Sequence, residues 1–564
     1  MSLALFGCDE VIDLDPIDVS IPVESSVRPP PITGGTLVVL DNATAVAADP
    51  DRDVIHVVDL AFAEVLHTIA LEPGDQPGRV VVSDSGLVHV VLRGYGGLAT
   101  IDVDAGAVLS RTWLCTEPRG VAFNPDDATL HVACADGWLH QLDEDGASLG
   151  STQLEPDLRD VMIVNGVVMA SLFRKAAIVG VDGSRIELPP FGDHIPHVAW
   201  RTWVRPSGTI VMLHQLASTE PVPIEPDPED IEVDGGTPYG GGGDPCTSGI
   251  TGAAITTIFD GRTDTVPVSQ SRLTVDAAAS PSGEWIALAV PGAAAEEGTI
   301  RFQSTEFFEC DPGARPDGDD GQVTAVAYSA SGQLVAQSRE PATITVFTDE
   351  PWGTRKVIKL NGEPRFDTGH EIFHRATSSG LSCASCHPEG TDDGHVWTFE
   401  TLGDRRTQPL DVGLGDTAPF HWDGDMTDLT MIMDEVLSHR MGGDRQSSLR
   451  QASFQRWLFA QQRPPAGGDH EEPSQVSAGA QLFASYDCGR CHDGPALGGT
   501  ITENVRGVRL QVPTLRRVSL HAPYMHDGRS GTLEAAIQDM VESTRGVTAP
   551  QADIDAIAAY LRTL

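Results

Sequence analysis

Basic residues are scarce in this chain. Against 81 Asp and Glu stand only 37 Lys and Arg in 564 residues, a net charge of −44. That imbalance excludes a nucleic-acid binder, or a protein held on anionic lipid by charge, and it would steer in a basic protein partner. Long apolar runs are missing as well, so no segment reads as a membrane-spanning helix of about 20 residues. Cysteine is sparse, nine in all. Four of the nine sit in two copies of one short motif, "CASCH" (Cys383, Cys386, His387) and "CGRCH" (Cys488, Cys491, His492).

The CxxCH spacing lets two thiols add to the two vinyl groups of a haem while the adjacent imidazole ligates iron from the same side. Two copies predict two covalently held haem c groups. Zinc is the rival, but a Cys₄ site needs both pairs together, whereas each pair here carries its own histidine. Of the other cysteines, Cys8 ends "MSLALFGC", whose apolar run and small residue read as the end of a bacterial lipoprotein signal. The expectation is a lipid-anchored protein of the cell envelope, periplasmic or at the outer-membrane surface, with the anchor as its one membrane contact. Cys115, Cys134, Cys246 and Cys310 remain, either as the local disulfides Cys115–Cys134 and Cys246–Cys310 or as four buried thiols.

Residues 1–35 read as signal remnant and Pro-rich tether. From 36 to 355 one theme recurs seven times: a β-rich run, a turn rich in Pro, Asp, Ser or Gly, and a second β-rich run, with turn residues at Pro50, Asp84, Pro125, Val164, Pro206, Pro281 and Ala330. The spacing is near the roughly 40 residues of a four-stranded blade, which predicts an all-β seven-bladed propeller. The wide gap before Pro281 holds an acidic, Pro- and Gly-rich excursion. The cadence of "VIHVVDLAFAEVLHTIAL" resembles bacterial surface propellers with YVTN-type repeats. His194 and His197 lack Cys or carboxylate partners at ligand spacing and read as loop or hydrogen-bonding residues. The acidic turn "RPDGDDGQ" lacks the spaced ligands of a calcium loop.

Past residue 360 the pattern becomes helical. "GHEIF" and "GAQLF" precede the two CxxCH motifs, and "APFHWDG" and "APYMHDG" follow them at matched spacing. This predicts a mainly α unit of two homologous cytochrome c-like domains, 361–465 and 470–564. The order of these motifs, with "VPTLRRVSLHAPYMHDGRSGTLEAAIQDM", resembles the bacterial di-haem cytochrome c peroxidase superfamily, which includes the MauG enzymes that oxidise a partner protein.

The resemblance implies that electrons from a redox protein enter at the C-terminal haem and pass to the N-terminal one, where hydrogen peroxide is reduced. It makes His387 and His492 the proximal iron ligands, Met540 the distal ligand of the second haem and Trp422 the indole between the haems, with His526 at the matching place. At the first haem the superfamily's acid–base glutamate is replaced near Met441 and Gly442. Met441 is there either a sixth ligand or a packing residue. His395, His421 and His439 are the histidines, and Glu435 the nearest carboxylate, that could serve the proton chemistry. Calcium between the haem domains is the remaining implied cofactor, with Thr407 in place of the usual asparagine and the carbonyls of His521 and Pro523 left. Two further readings stay open: a non-catalytic electron-transfer protein with the propeller as docking platform, and MauG-like oxidation of a partner protein.

Overall fold

The computed structural model describes residues 17–41, 43–225, 237–240, 249–268, 273–293, 298–305, 321–348 and 355–564. Cys8 and the pairing of Cys246 with Cys310 fall outside them. Seven antiparallel sheets of consecutive strands form the propeller. Blade one is Leu37–Val39, Thr44–Asp49, Val54–Asp59 and Glu64–Ala70. Blade two runs from Pro77–Val82 to Ala107–Trp113, blade three from Pro118–Asn124 to Ser148–Gln153, and blade four from Leu158–Val164 to Arg185–Ile186. Blade five spans His194–Val204 to Arg262–Val268, blade six has three strands among the described residues, and blade seven ends at Arg355–Lys359.

Local chemistry explains the hairpins. Between Val164 and Val167 the turn is Asn165-Gly166, both at positive φ (51° and 78°), the geometry that a two-residue hairpin of matching twist requires. The core lies between blades, because each middle strand is covered on both faces. Val88–Leu92 is buried throughout and packs with Val46, Ala48, Ile55 and Val57 of blade one. A second cluster joins blade one to blade seven and closes the ring. The disulfide Cys115–Cys134 forms as expected, tying the segment before blade three to its second strand.

One register differs from the sequence reading. In blade one the hairpin at Pro50 joins the second and third strands, whereas in the other six blades the hairpin joins the first and second. The blade's first strand is only three residues long, too short to show an alternating pattern.

The C-terminal unit contains helices α1 (Thr368–His374), α2 (Cys383–Cys386), α3 (Leu429–Ile432), α4 (Ser448–Phe459), α5 (Pro473–Ser485), α6 (Leu533–Arg545) and α7 (Gln551–Leu561). Asp367 caps α1 by accepting from the amides of Gly369 and His370, and Thr532 caps α6 by accepting from Ala535. The repeated glycines noted in the sequence have a packing cause. A Cβ on Gly369 would lie 2.4 Å from Trp457 Cβ on α4, and one on Gly479 would lie 1.9 Å from the Ala556 carbonyl oxygen on α7. Each repeat thus crosses its first and last helices at a glycine.

The two repeats face each other. Arg406 N donates to His526 O at 2.6 Å, and its counterpart Gln511 N donates to Trp422 O at 2.7 Å, a reciprocal pair expected of a pseudo-twofold. Residues 17–32, within the segment read as tether, instead lie along this unit. Ile17–Asp18 pairs with Arg445–Gln446, and Trp457 Nε1 donates to Pro29 O at 2.9 Å.

Candidate functional site

One apolar cavity of about 520 Å³ opens between the two repeats, and both CxxCH motifs line it. Cys383, Cys386, Cys488 and Cys491 are free thiols. Burial pushes the Cys383 thiol up to about 12 and the Cys386 thiol well above its ordinary value, so neither is a ready thiolate. Thioether formation would leave no charge to bury.

The adjacent histidines are prepared alike. The Nδ1–H of His387 donates to Thr391 O at 3.1 Å, and that of His492 donates to Leu497 O at 3.1 Å. With Nδ1 committed, Nε2 carries the lone pair. Burial lowers both imidazoles, His387 to about 4, so both stay neutral at physiological pH. A neutral imidazole fixed through Nδ1, beside two thiols at CxxC spacing and an apolar cavity, fits a covalently held haem in each repeat. It does not fit a shared zinc site: among the described residues the only cluster of three or more metal-capable side chains is Cys115, Cys134 and His140, two of which form the disulfide.

The two methionines that the resemblance offers as further iron ligands also line the cavity. Met540 of α6 does so in the second repeat. In the first, α3 continues as a π-helical stretch, Met433–Arg440, whose last turn delivers Arg440 and Met441 to the wall. Met441 is buried in an apolar cluster with Leu381, Trp397 and Tyr239, against which Cys386 packs. Trp422 lines the cavity with its Nε1 donating to Arg406 O at 2.7 Å. Its ring lies edge-on to that of His526, with centroids 6.3 Å apart, so the two equivalent positions meet on the pseudo-axis.

Other expected residues lie elsewhere. His395 packs against Trp397 at 4.2 Å and His197 at 4.9 Å, away from the cavity, because the loop turns it toward blade five. Glu435 is exposed on the outer face of the π-helical stretch, and His439 pairs with Glu225 at 3.4 Å on the surface. His421 does line the cavity, with Nδ1 3.6 Å from Asp425 Oδ1. His194 is held by Asp193 at 2.8 Å. Thr407 accepts from Trp397 Nε1 at 3.1 Å, and the His521 carbonyl accepts from Arg406 Nη2 at 2.6 Å, so a guanidinium already satisfies one of the oxygens expected for calcium.

The propeller supplies wall residues that sequence reasoning missed. Tyr239, within the acidic, Pro- and Gly-rich excursion, and Ile250, just after it, line the cavity. Tyr239 N donates to Arg440 O at 3.0 Å, and Arg440 Nη1 donates to the Tyr239 hydroxyl at 3.4 Å. Nothing local marks them.

No protein-family model matches the chain. Over 137 residues it is 31% identical to the cytochrome c peroxidase Ccp of Escherichia coli (strain K12), which covers 20% of this chain and 28% of that protein. Part of this chain is similar to bacterial cytochrome c peroxidases. The cytochrome c551 peroxidase of Nitrosomonas europaea is 32% identical over 137 residues, covering 20% of this chain and 39% of that one. The chain therefore spans less than two fifths of the length of either curated relative. Among solved structures, Kuenenia stuttgartiensis hydrazine synthase is 14% identical with a TM-score of 0.45, over 58% of this chain and 97% of that one. A streptogramin B lyase is 10% identical with a TM-score of 0.37, over 56% and 92%. Both likenesses are too distant to bear on function.

Proposed function

We propose that this protein is a di-haem c-type oxidoreductase of the cytochrome c peroxidase type, reducing hydrogen peroxide with electrons from a redox protein. The observation that carries the reading is the pair of CxxCH motifs opening on one cavity, each with a neutral histidine fixed through Nδ1. Bound haem would supply the one-electron iron chemistry. The protein's residues do the rest.

Exposure supports a direction for the electrons. Ala384 and Ser385 in the first motif are buried, whereas Gly489 and Arg490 in the second are exposed, so a donor can approach only the second motif closely. His492 and Met540 would hold that iron on its two faces, the six-coordinate arrangement suited to transfer. Trp422 and His526 bridge the repeats and shorten the path to the site of His387. There, two electrons and two protons convert hydrogen peroxide into two waters. His421, beside Asp425, takes the proton-moving role that His395 and Glu435 are too far away to play, and Tyr239 with Arg440 offers hydrogen bonds to a polar ligand. The disulfide Cys115–Cys134 supports an oxidising compartment, consistent with an exported, envelope-located protein anchored at Cys8.

A second reading has its own observation. Met441 lines the cavity and is 6% exposed. If its sulfur ligates the first iron, both sites are closed and the protein only transfers electrons. Electron paramagnetic resonance on the half-reduced protein, before and after peroxide, decides between them. A peroxide-sensitive first centre supports catalysis. Two inert low-spin centres, with Met441→Ala gaining peroxide reactivity, support transfer and overturn the peroxidase.

A further inference from the structure

The two CxxCH loops have unequal surroundings. After His492 the chain passes through Asp493, Gly494 and Pro495, all exposed. After His387 it passes through Pro388, Glu389 and Gly390, all buried against the propeller. Glu389, 1% exposed, pairs with Arg93 Nη2 of blade two at 2.5 Å and with Arg159 Nη1 of blade four at 2.5 Å. Its carbonyl accepts from Arg463 Nη2 at 2.9 Å. Gly390, at φ 73°, sits so close to Pro31 that a Cβ would lie 2.7 Å from the proline ring.

Three residues beyond Glu389, Asp392 is fully buried. It pairs with Arg174 Nη1 of blade four at 3.2 Å, with Arg406 Nη2 at 3.0 Å and with His521 Nδ1 at 2.5 Å. Between these two carboxylates lies Thr391, whose carbonyl accepts the Nδ1–H of His387. The group that orients the first imidazole is thus suspended between two acids that propeller arginines pin. In the second repeat, Gly494 stands where Glu389 does.

We propose that the propeller is part of the electronic environment of the first haem: Arg93, Arg159 and Arg174 are positioning residues that, through Glu389, Thr391 and Asp392, fix His387 and set that haem's reduction potential apart from the second's. The inference rests on the haem reading above. Partners of a ligating histidine orient the ring and tune its basicity, and buried charges act over longer range than solvated ones. Hydrogen bonding and burial around the ligands are the levers by which a protein sets such a potential.

The test uses the mature full-length protein, with both potentials followed by spectroelectrochemical titration. Ferric haem carries one more positive charge than ferrous haem. Glu389→Gln removes a nearby negative charge, so the first potential rises; Arg159→Gln removes a positive one, so it falls. Each change is expected to alter the reduced-to-oxidised ratio about tenfold at fixed electrode potential, about 59 mV for a one-electron couple. The second potential stays in place, the double variant falls between, and Arg159→Lys returns toward the wild type. A merely structural role would move both singles the same way, or both haems together, and either result overturns the proposal, as does no movement at all. Should Arg159→Gln fail to mature, Arg93→Gln carries the same predicted sign. A count of covalent haem separates the failures: two haems with unmoved potentials sink this inference alone, whereas none sinks the proposed function with it.

Discussion

Glu117, in the segment leading into blade three, is a point at which the propeller grips both repeats. It is 6% exposed. Its carboxylate pairs with Arg119 of its own blade at 2.9 Å, with Arg463 at the end of the first repeat at 2.8 Å, and with Arg517 of the second repeat. Burial alone would raise its pKa, but Arg463, Arg119, Arg517 and Arg93 together hold it well below the usual carboxylate range. Glu117→Gln keeps the shape and removes the charge, leaving guanidinium groups that Asp157 and Asp411 only partly compensate. Removing one partner of a buried ion pair costs about 3–5 kcal/mol. At roughly 2–4 °C per kcal/mol for a unit of this size, the melting transition of the C-terminal unit should fall by about 10 °C. Differential scanning calorimetry reads it. Because the folded pKa lies below the unfolded one, near 4.3 for a glutamate, the stabilisation is complete above that unfolded value and is lost progressively as pH falls from it through the lower folded value. The gap between wild type and variant should therefore narrow on acidification below about pH 4. A drop of less than 2 °C at pH 7, or a gap unchanged by acid, would refute the argument that one carboxylate holds the three parts together.

Three other outcomes follow from the same geometry. Burial pushes Asp393 up to about 7, so its contribution is present below the unfolded value near 3.8 and is lost as pH rises through 7. Asp393→Asn should remove that loss and gain up to about 4 kcal/mol at pH 8 relative to wild type, read from urea midpoints; equal pH profiles would contradict it. Met540→Ala should convert the low-spin resonance of the second haem to high spin and leave the first haem's signal as it was; an unchanged second signal would take the methionine out of the ligand set. Exhaustive treatment with a calcium chelator should leave the melting transition within 1 °C or so, since the His521 carbonyl serves Arg406, and a large fall would show a cation the guanidinium does not replace.

The features legible in the sequence are those whose signal is local. The CxxCH pairs, the local disulfide and the seven hairpins each announce themselves within a few tens of residues. His395 and Glu435 were misplaced because chain proximity to His387 or Met441 does not say which way a loop or a π-helical stretch turns. The charge network joining the propeller to the first loop pairs residues hundreds of positions apart, such as Arg93 with Glu389, and no window of sequence contains it. One trace was present: Arg79, Arg119 and Arg159 recur 40 residues apart in the first strands of three successive blades. A solvated surface has no reason to repeat a cation in a strand otherwise destined for burial.

The walling-in of the first CxxCH loop dictates an order of manufacture. Pro388, Glu389 and Gly390 are buried between Pro31 and the blades, so the loop after the first motif is covered in the finished molecule, while Asp493, Gly494 and Pro495 after the second stay exposed. On the proposed di-haem reading, the haem of the first repeat would be attached before the propeller lands on that loop, so a pulse of haem supplied late in biogenesis should label the second repeat alone.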